Sequence, residues 1–177
     1  MPQRYIDTTL FDLFKVGPGP SSSHTIGPMK AGHHFAETCA ALPRDLLVRA
    51  VRFRVRLYGS LSATGTGHGT DAAVVAGLLG TAPESCPAGL LQELMDDPHT
   101  RRKRSLGDGQ VSVCVDDVSH DAIIHDFPYS NTLVADLLDA EDKVLHSQEY
   151  YSVGGGFSSG RAGNRPPLAS LFTAIRI

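Results

Sequence analysis

The 177-residue sequence contains no tryptophan, and only 7% of its residues are aromatic. It also lacks an excess of positive charge, because 16 Lys and Arg stand against 19 Asp and Glu and the formal net charge is -3. Nucleic-acid-binding proteins usually carry a basic patch, so this balance argues against a nucleic-acid partner. No apolar run approaches the ~20 residues of a membrane span, and the N-terminus has no signal-peptide core. The sequence therefore predicts a cytoplasmic protein that does not bind a membrane.

Cysteine is scarce and dispersed. Cys39, Cys86 and Cys114 lie far apart in the sequence, and none belongs to a Cys-x-x-Cys pair. Zinc and iron–sulfur sites need closely spaced ligands, so we expect no metal site built from this chain alone. The pattern favours buried free thiols in a reducing compartment.

Glycine, proline and serine are concentrated in one segment, residues 15–28, which reads KVGPGPSSSHTIGP. It precedes an amphipathic helical pattern, and the N–H groups of a helix N-terminus suit a carboxylate or phosphate. His24 adds a group that exchanges a proton near neutral pH. The hydroxyl-bearing residues expected to converge here are Ser21, Ser22, Ser23 and Thr25. The alternative is an ordinary capping loop, since serine and threonine are common N-cap residues.

A second glycine-rich loop, residues 59–71 (GSLSATGTGHGTD), lies between a strand pattern and a small-residue helix. This order brings backbone amides close to a ligand, but the loop lacks the third glycine of a dinucleotide fingerprint and the Gly-Lys-Ser/Thr of a P-loop. We expect His68, between two glycines, to approach a substrate closely. Asp71 is placed to cap the following helix. The stretch 154–156 is a third glycine cluster, either an exit turn or a further approach to the same ligand.

Hydrophobic periodicity predicts an α+β domain, an α/β sandwich of helices on a mixed or mainly antiparallel sheet. Predicted helices cover residues 8–15, 27–42, 72–79 and 87–97, and predicted strands cover 50–58, 110–115, 121–127, 132–138 and 144–153. On the strand 50–58, arginines alternate with apolar residues, which indicates a solvated face or a surface for an anion or a partner. The basic run 101–104 is expected to be a solvated loop. Structural or surface roles are expected for the remaining histidines, His33, His34, His99, His120, His125 and His146.

Three segments resemble the N-terminal β domain of iron–sulfur-dependent L-serine dehydratases of the single-chain type. They are residues 10–32, 58–71 and 150–157, which include SSSHTIGP, GTGHGTD and YYSVGGGF in the order found in that family. The resemblance implies deamination of L-serine to pyruvate and ammonia without pyridoxal phosphate. It also implies a compact domain similar to the allosteric substrate-binding domain of some phosphoglycerate dehydrogenases.

By motif match, the resemblance implies that His24 and His68 are the catalytic histidines. The implied substrate-binding residues are Ser22, Ser23, Thr25, Gly67, Gly69, Thr70 and Asp71. In the family, a second, largely helical α domain carries the cysteine ligands of a [4Fe–4S] cluster, whose open iron site acts as a Lewis acid on the serine hydroxyl. The implied partners are L-serine, this cluster-bearing domain and a second copy in a homodimer.

The sequence departs from the family pattern because the cluster-bearing domain is absent. We therefore expect a fragment, with a β domain over residues 1–157 and a linker or tail over 158–177, that is inactive alone. The alternative is a stand-alone module that binds serine or another small anion, since fold does not determine function. A hydrolase that uses one of the loop serines as nucleophile is not favoured, because neither of the first two glycine-rich segments, residues 15–28 and 59–71, carries a Gly-x-Ser-x-Gly elbow.

Overall fold

The structure, a computed structural model, describes residues 17–19, 21–153 and 156–162. The predicted helix 8–15, the glycines at 154 and 155 and the tail from 163 lie outside the described residues. The helices are α1 (Gly27–Ala40), α2 (Arg44–Arg49), α3 (Ser60–Thr64), α4 (Thr70–Leu78) and α5 (Leu90–Asp96). The strands are β1 (Ala50–Gly59), β2 (Arg102–Leu106), β3 (Gly109–Val113), β4 (Val118–His120), β5 (Asn131–Asp139), β6 (Val144–Val153) and β7 (Gly156–Ala162).

The strands form one mixed sheet in the order β2-β3-β1-β5-β6-β7, with β4 also paired to β1. Strand β1 runs parallel to β3 and β4, and the other pairings are antiparallel. The α+β prediction with a mainly antiparallel sheet is confirmed, as is the hairpin that joins β5 to β6. Its similarity to phosphoglycerate dehydrogenase domains stays a prediction.

One face of the sheet is packed against helices. The apolar residues of β1, such as Phe53, Val55 and Leu57, are completely buried, as the alternation in the sequence predicted. From Ala72 to Leu78 helix α4 is buried on all sides, and every residue there is apolar or small. In the described part of the chain, no helix has both the length and the apolar composition to cross a bilayer.

Helices α1 and α4 cross at two glycines, and this crossing determines where their N-termini lie. A Cβ atom on Gly32 would come within 2.4 Å of the Val74 carbonyl oxygen, and one on Gly77 within 2.1 Å of the Met29 carbonyl oxygen. Only hydrogen fits at these positions, so the two backbones approach more closely than larger side chains would permit. The loops that precede α1 and α4 are thereby held side by side.

The arginine face of β1 is not the solvated surface that the alternation suggested. Arg54 and Arg56 are only about one-third exposed and both donate to Asp136 on β5, at 2.8 and 3.1 Å. The Asp136 side chain is 1% exposed and also accepts from Ser147 Oγ at 2.6 Å. The chain's own carboxylates therefore neutralise this face, because a buried carboxylate needs charged or hydrogen-bonding partners.

Two other local predictions were wrong. Residues 102–104 of the basic run belong to the edge strand β2, where Arg102 pairs with Glu93. The predicted strand 121–127 is irregular, and only Val118–His120 forms β4. Ile123 and Ile124 in that segment are 63% and 93% exposed, so the apolar pattern there does not mark a buried strand face.

The last strand departs from the sequence prediction, which made residues 158–177 a linker or tail. The backbone of β7 pairs with β6, so residues 158–162 form a strand that the pattern did not predict.

Cys39 and Cys114 are buried free thiols, as predicted, whereas Cys86 is partly exposed.

Candidate functional site

The α1 loop (residues 21–26) contains a π-helical turn, Ser22–Ile26, that continues directly into α1. Ser21 begins it, because its side chain accepts from the His24 N–H at 3.2 Å and its carbonyl from the Thr25 N–H at 3.0 Å. Ser21 thus has the capping role that the alternative interpretation gave this loop. Single π turns within helices occur frequently at functional sites.

The π turn and Pro28 leave two carbonyl groups of the α1 loop open to other partners. Proline has no N–H, so Pro28 cannot donate to the carbonyl of His24, four residues before it. That carbonyl accepts instead from Thr70 Oγ1 at 2.6 Å. The Ser23 carbonyl accepts from Ser152 Oγ of β6 at 2.9 Å. Two distant elements therefore determine the backbone position of His24.

The α4 loop (residues 59–69) leads from β1 through α3 and the short 3-10 turn Thr66–His68 into α4. It is linked to the α1 loop because Thr25 Oγ1 donates to the His68 carbonyl at 3.0 Å. The His68 ring is positioned by Nδ1, which lies 2.9 Å from the Thr64 carbonyl oxygen. Gly69 ends the turn with φ +65°, a conformation that favours glycine.

His24 and His68 lie side by side, with ring centroids 5.0 Å apart and ring planes inclined by 38°. Each ring nitrogen of His24 contacts a hydroxyl: Nδ1 lies 2.9 Å from Ser23 Oγ, and Nε2 lies 3.1 Å from Ser60 Oγ. Burial lowers the pKa of His24, a hydrogen bond to the Ser60 backbone opposes this, and the nearby His68 lowers it further. His24 is therefore neutral at pH 7 and able to accept a proton.

A cleft of about 580 Å³ lies beside His68. It is bordered by Gly67, Gly69 and His68 on one side, and by Gly17, Cys86 and Met95 among others on the remaining sides. A Cβ on Gly67 would have no neighbouring atom within 4 Å, so the backbone there is open to a ligand or a partner. His68 and the two glycines beside it therefore border a space that a ligand can enter.

Comparison with known proteins identifies the family of this chain. The family model of the serine dehydratase beta chain matches residues 9–162, which include the α1 and α4 loops. The chain belongs to the serine dehydratase beta chain family. The resemblance deduced from its three motif segments is thus confirmed.

Several relatives are L-serine dehydratases. L-serine dehydratase 2 of Escherichia coli strain K12 is 41% identical over 155 residues, which cover 84% of this chain and 32% of that protein. The L-serine dehydratase of Streptomyces coelicolor is 40% identical over 154 residues, with 84% and 33% covered. That of Mycobacterium tuberculosis is 36% identical over 172 residues, with 92% and 36% covered. The chain spans about a third of the length of these curated relatives.

Most of the residues assigned to the site from the beta chain motifs lie together. His24, Ser23 and His68 are partly accessible, and Gly67 and Gly69 border the cleft. Ser22 is partly buried, and its carbonyl accepts from the Gly27 N–H. Their roles in substrate binding and catalysis stay predictions.

Three of the assigned residues have structural contacts. Thr25 and Thr70 are fully buried, and their hydroxyls join the α1 loop to the α4 loop. Asp71 does not cap α4, because Gly69 occupies the N-cap position and Asp71 lies in the first turn. Its carboxylate pairs with His120 Nε2 at 3.0 Å.

Sequence reasoning did not find three residues that complete the site. Ser60 contacts the His24 ring, and Ser152 contacts the Ser23 backbone. His120 pairs with Asp71, and its Nδ1 also lies 3.1 Å from the Ser62 carbonyl oxygen. Ser60 had a signal, since it follows the glycine at the end of a clear strand. Ser152 also had a signal, since it lies in the third motif segment, residues 150–157. His120 had none, because only the pairing of strands brings it here.

The residues that the structure describes do not fit an iron–sulfur cluster. The cysteines Cys39, Cys86 and Cys114 are separate free thiols, and two of them are buried. In the described part of the chain, no group of three or more His, Cys, Asp or Glu side chains is arranged to hold a metal ion. Any cluster ligands must therefore come from outside these residues.

Proposed function

We propose that this chain is the β domain of an enzyme that deaminates L-serine to pyruvate and ammonia. The observation that carries the proposal is the pairing of His24 with His68, 5.0 Å apart, between hydroxyls and an open glycine-rich backbone. The naming of several relatives as L-serine dehydratases supports this choice of substrate and reaction.

Loss of water from serine requires removal of the α-proton and departure of the β-hydroxyl. The resulting aminoacrylate tautomerises and hydrolyses to pyruvate and ammonia. We assign the proton transfer to His24, because its lowered pKa leaves an imidazole that accepts a proton at neutral pH. We assign the substrate carboxylate to His68 and the backbone of Gly67 and Gly69, which all border the cleft.

We further propose that a second domain completes the enzyme. The family resemblance implies that this domain carries a [4Fe–4S] cluster, and the described residues of this chain offer no ligands for one. The steps proposed for this chain therefore involve only its own histidines, hydroxyls and amides. On this proposal the β domain includes β7, the complete enzyme is a homodimer, and the chain alone does not turn over serine.

The test is to reassemble the chain with the cluster-bearing domain of a relative under anaerobic conditions and to measure pyruvate. We expect His24→Asn and His68→Asn each to lower turnover by about 10²–10⁴-fold, the usual contribution of general acid–base catalysis. His99→Asn is the matched control, because the His99 side chain is 82% exposed and outside the site. Turnover of His24→Asn and His68→Asn at the control level, or pyruvate formation by the chain alone, contradicts the proposal.

A serine or small-anion sensor is the second candidate, because the chain by itself forms a cleft beside an open glycine backbone. An NMR titration of the isolated chain with L-serine separates the two, with D-serine and acetate as controls. Shifts specific to L-serine at residues 22–25 and 67–70, unchanged by His24→Asn, favour a sensor. If no shifts are seen up to millimolar ligand, the sensor is excluded, and the site is one that the second domain completes.

A further inference from the structure

His24 makes side-chain contacts that constrain its protonation more closely than its pKa alone does. Its ring lies between Ser23 Oγ on Nδ1 and Ser60 Oγ on Nε2, at 2.9 and 3.1 Å. A neutral imidazole has one N–H and one lone pair, so one serine must accept from the ring while the other donates to it. The direction of these two bonds decides which nitrogen of His24 is the base.

Ser60 is held in place by backbone contacts that are independent of His24. Its N–H donates to the Ser130 carbonyl at 3.2 Å, and the Gly59 N–H donates to the Ala122 carbonyl at 3.0 Å. Gly59 has φ +59° and ψ -128°, and a Cβ there would lie 1.9 Å from the Ser130 carbonyl oxygen. Only glycine permits this sharp turn, and the turn leads Ser60 out of β1 to the His24 ring.

Ser23 has a different environment, since it belongs to the same turn as His24. Its hydroxyl lies 3.4 Å from Ser21 Oγ, and Ser21 Oγ already accepts from the His24 backbone N–H. The Ser21 proton is therefore available to Ser23 Oγ, and the Ser23 proton to Nδ1. In this direction Ser21, Ser23, the imidazole and Ser60 form a continuous chain of hydrogen bonds that ends on Ser60.

We propose that Ser60 is a positioning residue that holds His24 in the tautomer with its proton on Nε2, so that Nδ1, beside Ser23, is the nitrogen that accepts a proton. Holding one tautomer of a histidine base is the role that the aspartate has in a Ser-His-Asp triad. The kinetic consequence rests on the proposed function, whereas the tautomer itself does not.

The first arm of the test uses the isolated chain with ¹⁵N-labelled histidine at pH 7.5. Long-range ¹H–¹⁵N correlation spectra are expected to show His24 protonated on Nε2, with a slowly exchanging ring proton. Ser60→Ala should speed the exchange of that proton at least about tenfold, and Ser60→Thr, which keeps the hydroxyl, should restore slow exchange. Ser23→Ala should leave the proton on Nε2. A wild-type His24 protonated on Nδ1 overturns the proposal without any variant, as does unchanged exchange in a folded Ser60→Ala chain.

The second arm measures turnover in the reassembled enzyme. Ser60→Ala should lower kcat by at least about tenfold, a part of the ~10²–10⁴-fold that a general base contributes, with little change in KM. Ser60→Thr should recover most of the kcat that Ser60→Ala loses. If His24→Asn is fully active, the proposed function fails while the ring spectra still test the tautomer. If His24→Asn is inactive and Ser60→Ala matches the wild type, the positioning role alone fails.

Discussion

The two histidine-bearing loops differ in how they are held. The α1 loop is held by side-chain hydrogen bonds: two of its carbonyls are bound by Thr70 and Ser152, and both ring nitrogens of His24 contact serine hydroxyls. The α4 loop borders an open cleft, and Gly67 has no neighbour where a side chain would point. An imidazole that is held at both ring nitrogens and has a lowered pKa suits proton transfer, whereas a histidine among open amides at a cleft suits binding. The comparison shows how two histidines whose ring centroids lie 5.0 Å apart can have different roles.

The largest expected effect comes from separating the α1 and α4 loops at the helix crossing. In Gly77→Ala, the added Cβ would meet the Met29 carbonyl oxygen at 2.1 Å, so α1 and α4 must move apart. We expect a loss of about 2–3 kcal/mol in the free energy of unfolding, the usual cost of overpacking, measured by urea denaturation. The contact between the two histidine rings should also weaken in NOE spectra.

Gly67→Ala is the matched control for that change, because its Cβ would enter open space. It should alter stability by no more than about 0.5 kcal/mol. Equal stabilities of the two variants would contradict the role given to the helix crossing.

An intermediate effect is expected from removing one hydroxyl that joins the two loops. Thr70→Val leaves the His24 carbonyl without its 2.6 Å partner, and Pro28 has no N–H to replace it, which should cost about 1–3 kcal/mol. Thr25→Val removes the 3.0 Å bond to the His68 carbonyl, and the partly exposed α4 loop allows water to replace it, so the cost should be smaller. Urea denaturation of both variants measures the difference. A greater loss of unfolding free energy in Thr25→Val than in Thr70→Val would contradict this comparison of the two loops.

The smallest effect concerns pH. Burial lowers the pKa of His24, His34 and His146 from the ordinary 6.5. A histidine with a lowered pKa stabilises the fold above pH 6.5, and this contribution is lost as pH falls through its folded-state pKa. The urea concentration at the midpoint of unfolding should therefore decrease as the pH is lowered from 7.5 to 5. His34→Asn should make this decrease shallower.

Histidine ring NMR tests the same prediction at the site itself. His24 should titrate below pH 6.5 in the wild type and closer to 6.5 in Thr70→Val, where the α1 loop is less enclosed. Unchanged titration in that variant would show that enclosure of this loop does not control His24.

Much of the fold could be predicted because its signals are local. The alternation along residues 50–58 predicted β1 and its buried face, and the turn-rich segment between two apolar runs predicted the hairpin of β5 and β6. The missed strand β2 has an arginine- and lysine-rich sequence that resembles a loop, and it is stabilised by pairing with β3. The pairs that hold its arginines, such as Arg102 with Glu93, join different elements and leave no local pattern.

The candidate site likewise has a part that the sequence predicts and a part that only the structure shows. Sequence alone determined which residue types stand before the two helices, because glycine, proline and serine act through the backbone of their own segment. It also determined the family, since long motifs occur in order. Only the tertiary structure decided that His24 and His68 adjoin, that Thr25, Thr70 and Asp71 already have partners, and that Ser60 reaches the imidazole. These contacts depend on the glycine crossing of α1 and α4 and on the turn at Gly59, and both are relations between segments distant in the chain.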